Sequence, residues 1–453
     1  MSLKVGFAKV NIDPPLGIGI RGYYIPRYAK GFYDSLFVRT IAVANAEKKA
    51  LIINVDFCSI DNHLVSVCHK RIAEETGIAK ENIFMGATHT HTGPLTSENG
   101  ARFAVDMDMI ENYAKLFVSR VLDSVKLALV DLKPAKMGFA IGHAPERIAY
   151  IRRYRMKDGS TFTCPPINDP NIVGPIGELD QRINVLRFKR EDADDIVIVN
   201  YGIHADTVNG DIISADFPHW LSKTVRDTLD AECVFIPGAQ GDVGSTNVNP
   251  SGGDMNDTEI SFDNEMKSYG MARFVGRAIA GTVLQVFDKV EFTEDDSIEI
   301  AHKSLVVPAN NPKPEEMPLA IKYKELHEAG RDDEIPFEGM QLTTEIADAY
   351  RKCRLEHGPF EFTLPMMGLK IGPVAFVGMP GEPFTEIGVK IKETDGFSVI
   401  MPAALVNGSC GYFPAKSAFD EGGYEARTSD YTSVITEEMV KCGKDILAEL
   451  KER

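Results

Sequence analysis

The chain has 453 residues, of which 44% are hydrophobic and 25% charged, ordinary proportions for a large globular protein. Its formal charge of −17 argues against nucleic acid as a partner, because a polyanion is bound through a basic surface that releases counterions. An anionic membrane face is disfavoured for the same reason.

Along the chain, strand-like and helix-like periodicities alternate. The amino terminus, MSLKVGFAKVNIDPP, enters a strand directly and lacks the apolar core of a signal peptide. Residues 36–45 and 50–57 read as a strand pair across a polar AEKK turn. A helix follows at about 62–77, then a buried strand at 82–88, then a long helix over roughly 105–131 ended by Lys-Pro. Further strands are predicted at 183–189, 195–202, 233–237, 296–307, 361–371, 374–379 and 397–402. Further helices are predicted at 218–230, 264–288, 315–329, 342–356, 384–393 and 432–451. The mixture predicts an α/β fold, a mixed β-sheet core covered by helices, with residues 1–453 as one domain. Two stretches, 156–180 and 242–262, read as long loops rich in Gly, Pro, Asn and Asp, and loops of that length are usually functional. The seven cysteines contain no Cys-x-x-Cys pair and leave one over, which suits reduced thiols. No apolar run reaches the length of a membrane span. The expectation is a soluble cytoplasmic protein with no stable membrane insertion; oligomeric state is left open.

The sharpest local signal is Ala-Thr-His-Thr-His-Thr-Gly-Pro at 87–94, where a buried strand runs out into a loop. Residues i and i+2 of a strand share a face, so His89 and His91 can converge on one point, and ligands of α/β sheets collect at such strand ends. Two neutral imidazoles there suit zinc, or one ligand and one acid/base; the alternative is a hydrogen-bonded pair in a polar turn. His204 ends another apolar run, DIVIVNYGI, and enters a polar loop. Glu382 follows the strand PVAFVGM on a Pro-Gly-Glu turn, as a helix-start carboxylate or a metal ligand. The glycine-rich segment 405–426 carries Tyr412 and Tyr424, residues that ordinarily pack and hydrogen-bond in such loops.

Together these segments resemble the neutral/alkaline ceramidase family over most of the chain, through VGFAKVNIDPP, Arg-Gly-Tyr at 21–23 and, most specifically, THTHTGP at 88–94. The resemblance implies a ceramidase catalytic-domain-like fold and one zinc ion per chain held by His89, His204, Glu382 and Tyr412. It implies His91 and Tyr424 as catalytic residues beside the metal, and a substrate-contacting arginine, for which Arg152 is chosen over Arg147 and Arg153. The reaction implied is hydrolysis of an N-acyl, ceramide-like amide, by attack of a metal-bound hydroxide on the carbonyl, with a small-molecule amide as substrate. An esterase or lactonase on a soluble substrate, and a metal-binding homologue without turnover, are the alternatives. Asp34, Asp56, Asp206 and Asp242 are candidate carboxylate partners for metal-bound imidazoles, and Asp216 is read as a helix N-cap.

Two departures concern substrate. The family's Gly-Asp-Val-Ser segment is Gly-Asp-Val-Gly-Ser here, so Gly244 stands where that serine would be, and Ser245 falls one residue late. The chain also ends soon after Tyr412, without the family's carboxy-terminal β-sandwich domain, and a water-soluble amide or ester is expected in preference to bilayer ceramide.

Overall fold

The computed structural model describes residues 3–97, 105–249 and 267–453. In the first strand, Lys4–Asn11, the two-residue period of the backbone sorts the side chains. Val5 and Phe7 enter one apolar cluster, shared with Phe84, Leu186, Ile300 and Leu369. Ala8 and Val10 enter another, under the helix Met107–Val130. Gly6 lets that helix sit close, since a Cβ there would lie 2.0 Å from the carbonyl oxygen of Ala128.

Among the described residues, nine strands form the main sheet. From one edge they run Ala231–Pro237, Asp195–Tyr201, Arg182–Arg190, Lys133–His143, Lys4–Asn11, Phe37–Ala44, Lys49–Val55 and Ile83–Ala87, with Glu291–Thr293 also pairing Lys133–His143. Its interior pairs are antiparallel, but the outermost pair at each edge is parallel. Each parallel pair is bridged by a helix, Asn62–Thr76 or Phe217–Leu229, as parallel strands require. A second sheet of four strands, Ile298–Pro308, Glu361–Ile371, Val374–Gly378 and Val399–Ala403, ends in a third parallel pair around the helix Thr385–Lys392.

The two sheets pack face to face through Ile52, Phe84, Ile198, Leu369, Phe376 and Met401. Helices cover their outer faces: Met107–Val130, Phe217–Leu229 and Tyr269–Phe287 on the large sheet, Thr385–Lys392 and Val434–Glu452 on the small one. The predicted mixed sheet is therefore two stacked sheets in a four-layer α/β arrangement. The strand Lys133–His143 was not anticipated: Lys-Pro does not close the long helix, which stops at Val130, but opens this central strand. The 156–180 stretch is likewise no simple loop, since Arg153–Met156, Thr161–Thr163 and Ile172–Pro175 form a small antiparallel sheet. Of the 242–262 stretch, Val243–Gly244 pairs Tyr150–Ile151, and residues 250–262 lie outside the described residues. Among the described residues, no helix is long and apolar enough to cross a membrane.

Candidate metal centre

The three parallel units aim their carboxyl-terminal strand ends at one region, the usual place for a site in an α/β sheet. Ile83–Ala87 leads to His89 and His91, Asp195–Tyr201 to His204, Val374–Gly378 to Glu382, and Val399–Ala403 to the segment bearing Tyr412. In the Thr-His-Thr-His-Thr run the threonines anchor while the histidines project. Thr90 Oγ1 and Thr92 Oγ1 donate to one carbonyl, that of Ser214, at 2.6 and 3.0 Å. His89 has a left-handed backbone, φ +71°, which costs a non-glycine residue about 1–3 kcal/mol unless its surroundings impose it. Its N–H donates to Phe57 O at 2.8 Å, and its ring reaches Cys58 O. Glu382 and Tyr412 face each other as register partners of a short parallel bridge.

The protonation pattern follows from the hydrogen bonds. His89 Nδ1 lies 2.6 Å from Cys58 O, and His204 Nδ1 lies 2.8 and 2.9 Å from the carbonyls of Gln240 and Val243. A carbonyl only accepts, so each Nδ1 carries the proton and each neutral ring has a bare Nε2. Both Nε2 atoms stand 3.1 Å from the same oxygen, Glu382 Oε2, which is buried without a hydrogen-bond partner. The His91 Nε2 is 3.3 Å from that of His89. Electron pairs so crowded and dry repel unless a cation or proton lies among them. His89, His204 and Glu382 thus form a candidate metal-ligand triad, with its ligand atoms within 4.8 Å of one another.

The pKa directions describe the same crowding. Burial is the largest influence on His89 and pushes it down, but the Glu382 carboxylate outweighs this and raises it well above the ordinary value. Burial and the Arg152 guanidinium push His204 down to about 4. Burial raises Glu382, yet the two histidines overcome it and hold the carboxyl well below its ordinary range. Burial also lowers His91 and raises Tyr412 and Tyr424.

The opposite wall is built on charge. Arg152 donates from Nε to Glu425 Oε1 at 2.6 Å and from Nη2 to Gly241 O and Tyr412 Oη at 2.9 and 3.1 Å, while Nη1 lies 3.2 Å from His204 Nε2. Glu425, fully buried, takes its second bond from Thr163 Oγ1 at 2.8 Å. The Tyr424 ring meets Tyr412 edge-on, with centroids 5.7 Å apart. All seven residues selected from sequence, His89, His91, Arg152, His204, Glu382, Tyr412 and Tyr424, are therefore gathered here. Arg153 is buried elsewhere, bonded to Glu421 and Gly422. Gly244 lies beside Arg152: a Cβ on it would meet Arg152 carbons at 3.9 Å, an ordinary contact.

The carboxylates expected behind the ligand imidazoles are not there; backbone carbonyls take those N–H groups. Asp56 pairs with Arg39, Asp34 accepts from Ser214 and Ala215, and Asp242 accepts from Thr385. Asp206 alone of the four faces a site histidine, His91, at 3.7 Å. Asp216 caps the helix Phe217–Leu229 as expected. Glu425, Thr163, Tyr23 and Lys267 were missed. Glu425 adjoins Tyr424 in the Tyr-Glu-Ala segment, a usable signal, whereas nothing in the local pattern marks Lys267.

No family model matches the chain. Among solved structures, its fold class can be stated more closely. A neutral ceramidase from Pseudomonas aeruginosa superposes with a TM-score of 0.73 at 17% identity, covering 100% of this chain and 75% of that one. A ceramidase complexed with C2 gives 0.74 at 16%, covering 100% and 76%. The chain thus has the ceramidase catalytic-domain fold.

Proposed function

We propose that the protein is a zinc-dependent hydrolase of a linear, non-peptide amide, an N-acyl compound, with His89, His204, Glu382 and Tyr412 holding the ion. The single observation that carries this reading is the buried Glu382 Oε2, 3.1 Å from two imidazole nitrogens whose electron pairs face it when the rings are neutral, as a bound cation would keep them. Two imidazoles, a carboxylate and a phenol oxygen are donor types that zinc accepts. A divalent ion held there supplies a Lewis acid and lowers the pKa of a coordinated water toward about 7.

The remaining chemistry belongs to side chains. Arg152, fixed by Glu425, donates to Tyr412 Oη and favours its ionised form as a ligand. Tyr424, whose hydroxyl burial keeps protonated, donates to the carbonyl oxygen as charge develops on it. His91, turned toward His89 and the ligand cluster, moves the proton from nucleophile to leaving amine. Arg152 thereby acts through Tyr412, beside the substrate contact expected from sequence.

A cavity of about 250 Å³ adjoins Tyr424, with Phe162, Phe337 and Met340 beside Ser160, Gln341 and Glu421 on its walls. The test is metal content by elemental mass spectrometry on the wild type and on His204→Ala and Glu382→Ala. About one zinc per chain, lost in both variants, is the expected result. A wild type that neither contains nor takes up a transition metal would sink the hydrolase reading. A panel of N-acyl amides, esters and lactones then identifies the bond cleaved.

A further inference from the structure

His91 is buried, and its Nδ1 has no hydrogen-bond partner. Its Nε2 is turned toward the ligand cluster, so the idle nitrogen is the one facing away from it. Across from Nδ1 stands Asp206, with Oδ1 at 3.7 Å, longer than a hydrogen bond but close for a charge in a dry site. That carboxylate is held from two further directions. The Tyr23 hydroxyl donates to Oδ1, and Lys267 Nζ donates to Oδ2 at 2.5 Å and to the Tyr23 oxygen at 2.9 Å.

The His91 ring has little freedom to turn away. Its backbone carbonyl accepts from Arg27 Nη2 at 2.8 Å, and the same guanidinium stacks over Tyr23, 4.1 Å from the ring centroid. The Tyr23 ring meets the imidazole at 5.6 Å. Gly22 backs the imidazole with bare main chain: a Cβ there would come within 2.9 Å of Nδ1, and its φ of +124° also suits glycine.

We propose that Asp206 is a positioning residue for His91. Anchored by Tyr23 and Lys267, its carboxylate favours the tautomer with the proton on Nδ1 and leaves the Nε2 electron pair facing the reacting centre. A neutral imidazole has one N–H to place, and a carboxylate accepts but never donates. An Nδ1 electron pair facing Asp206 would set two acceptors against each other; an Nδ1–H facing it is attracted. A tautomer set by the partner of the distal nitrogen is a general device for histidine. The consequence for catalysis rests on the hydrolase reading above, but the tautomer itself does not.

The experiment uses the full chain with its ten histidines labelled by nitrogen-15, His91 being assigned by its absence in His91→Gln. Long-range proton–nitrogen spectra are expected to show Nδ1 protonated and Nε2 bare in the wild type, and a mixture of tautomers in Asp206→Asn. Turnover of the amide that the panel identifies should fall about 10- to 100-fold in Asp206→Asn, with KM and zinc content retained. The double variant Asp206→Asn/Lys267→Met removes the lysine that the single variant leaves unpaired, and it should stay as slow as the single one. A wild-type His91 protonated on Nε2 overturns the proposal. So does recovery of wild-type turnover in the double variant, because Asp206 would then serve only to neutralise Lys267. If the wild type holds no metal and turns nothing over, the hydrolase reading fails while the spectra still decide the tautomer.

Discussion

The two walls of the candidate site are held in opposite ways. On one, the imidazoles of His89 and His204 hang from backbone carbonyls of Cys58, Gln240 and Val243. On the other, Tyr412 is reached by a guanidinium that is itself held by the buried carboxylate of Glu425. A carbonyl fixes a tautomer without adding charge, and no side-chain substitution removes it. An ion pair adds charge that acts on the neighbouring phenol, but losing one member strands the other in a dry place. The histidine wall should therefore be robust to mutation behind it, and the tyrosine wall fragile.

The largest effect is expected from Glu425→Ala. It leaves the guanidinium of Arg152, whose side chain is only 12% exposed, without its carboxylate, for which a loss of about 3–5 kcal/mol in unfolding free energy is expected in denaturant titration. Glu425→Ala combined with Arg152→Leu should lose less than the single variant. If the single variant costs under about 1 kcal/mol, the tyrosine wall does not depend on this pair.

Stripping the metal comes next. An ion present at about a thousandfold over its dissociation constant stabilises the folded state by about 4 kcal/mol, so a chelator should lower the calorimetric midpoint and zinc should restore it. A midpoint indifferent to both would mean that the histidine wall needs no cation.

A pH-dependent effect concerns the scaffold behind the histidine wall. Asp34 holds Ser214, whose carbonyl anchors Thr90 and Thr92. Burial raises its carboxyl from 3.8 to about 7. A group raised on folding contributes stability that is complete below its unfolded pKa and lost as pH rises through the folded one. Its contribution should thus decline from about pH 4 to pH 7. Asp34→Asn should flatten that part of the stability–pH curve; an unchanged slope would show that Asp34 does not produce it.

Smallest is Gly244→Ser. With only ordinary contacts to Arg152 in prospect, stability should change by less than about 0.5 kcal/mol. Comparing its activity on ceramide with the wild type's then isolates what a hydroxyl beside Arg152 does for substrate choice. A large loss of stability would show that the tyrosine wall has no room there.

Residue order alone determined a good deal. Alternation and periodicity predicted most strands and helices, because both report which face of an element is buried, a local property. The ends of the apolar runs located His89, His204 and Glu382, since a buried strand that breaks into polar residues marks its own terminus. The Thr-His-Thr-His-Thr pattern predicted that two histidines share a face. What only the tertiary structure decided is non-local. The strand Lys133–His143 was hidden by its opening Lys-Pro and by a pattern interrupted with glycine. The division into two sheets depends on which strands pair, and the pairing partners are far apart in the chain. The expected carboxylates behind the imidazoles proved to be main-chain carbonyls, and no sequence reading could have named them, because every residue carries one. Glu382 Oε2 stands between two imidazole nitrogens only because three separate strand ends meet, and that meeting is a property of the packed sheets.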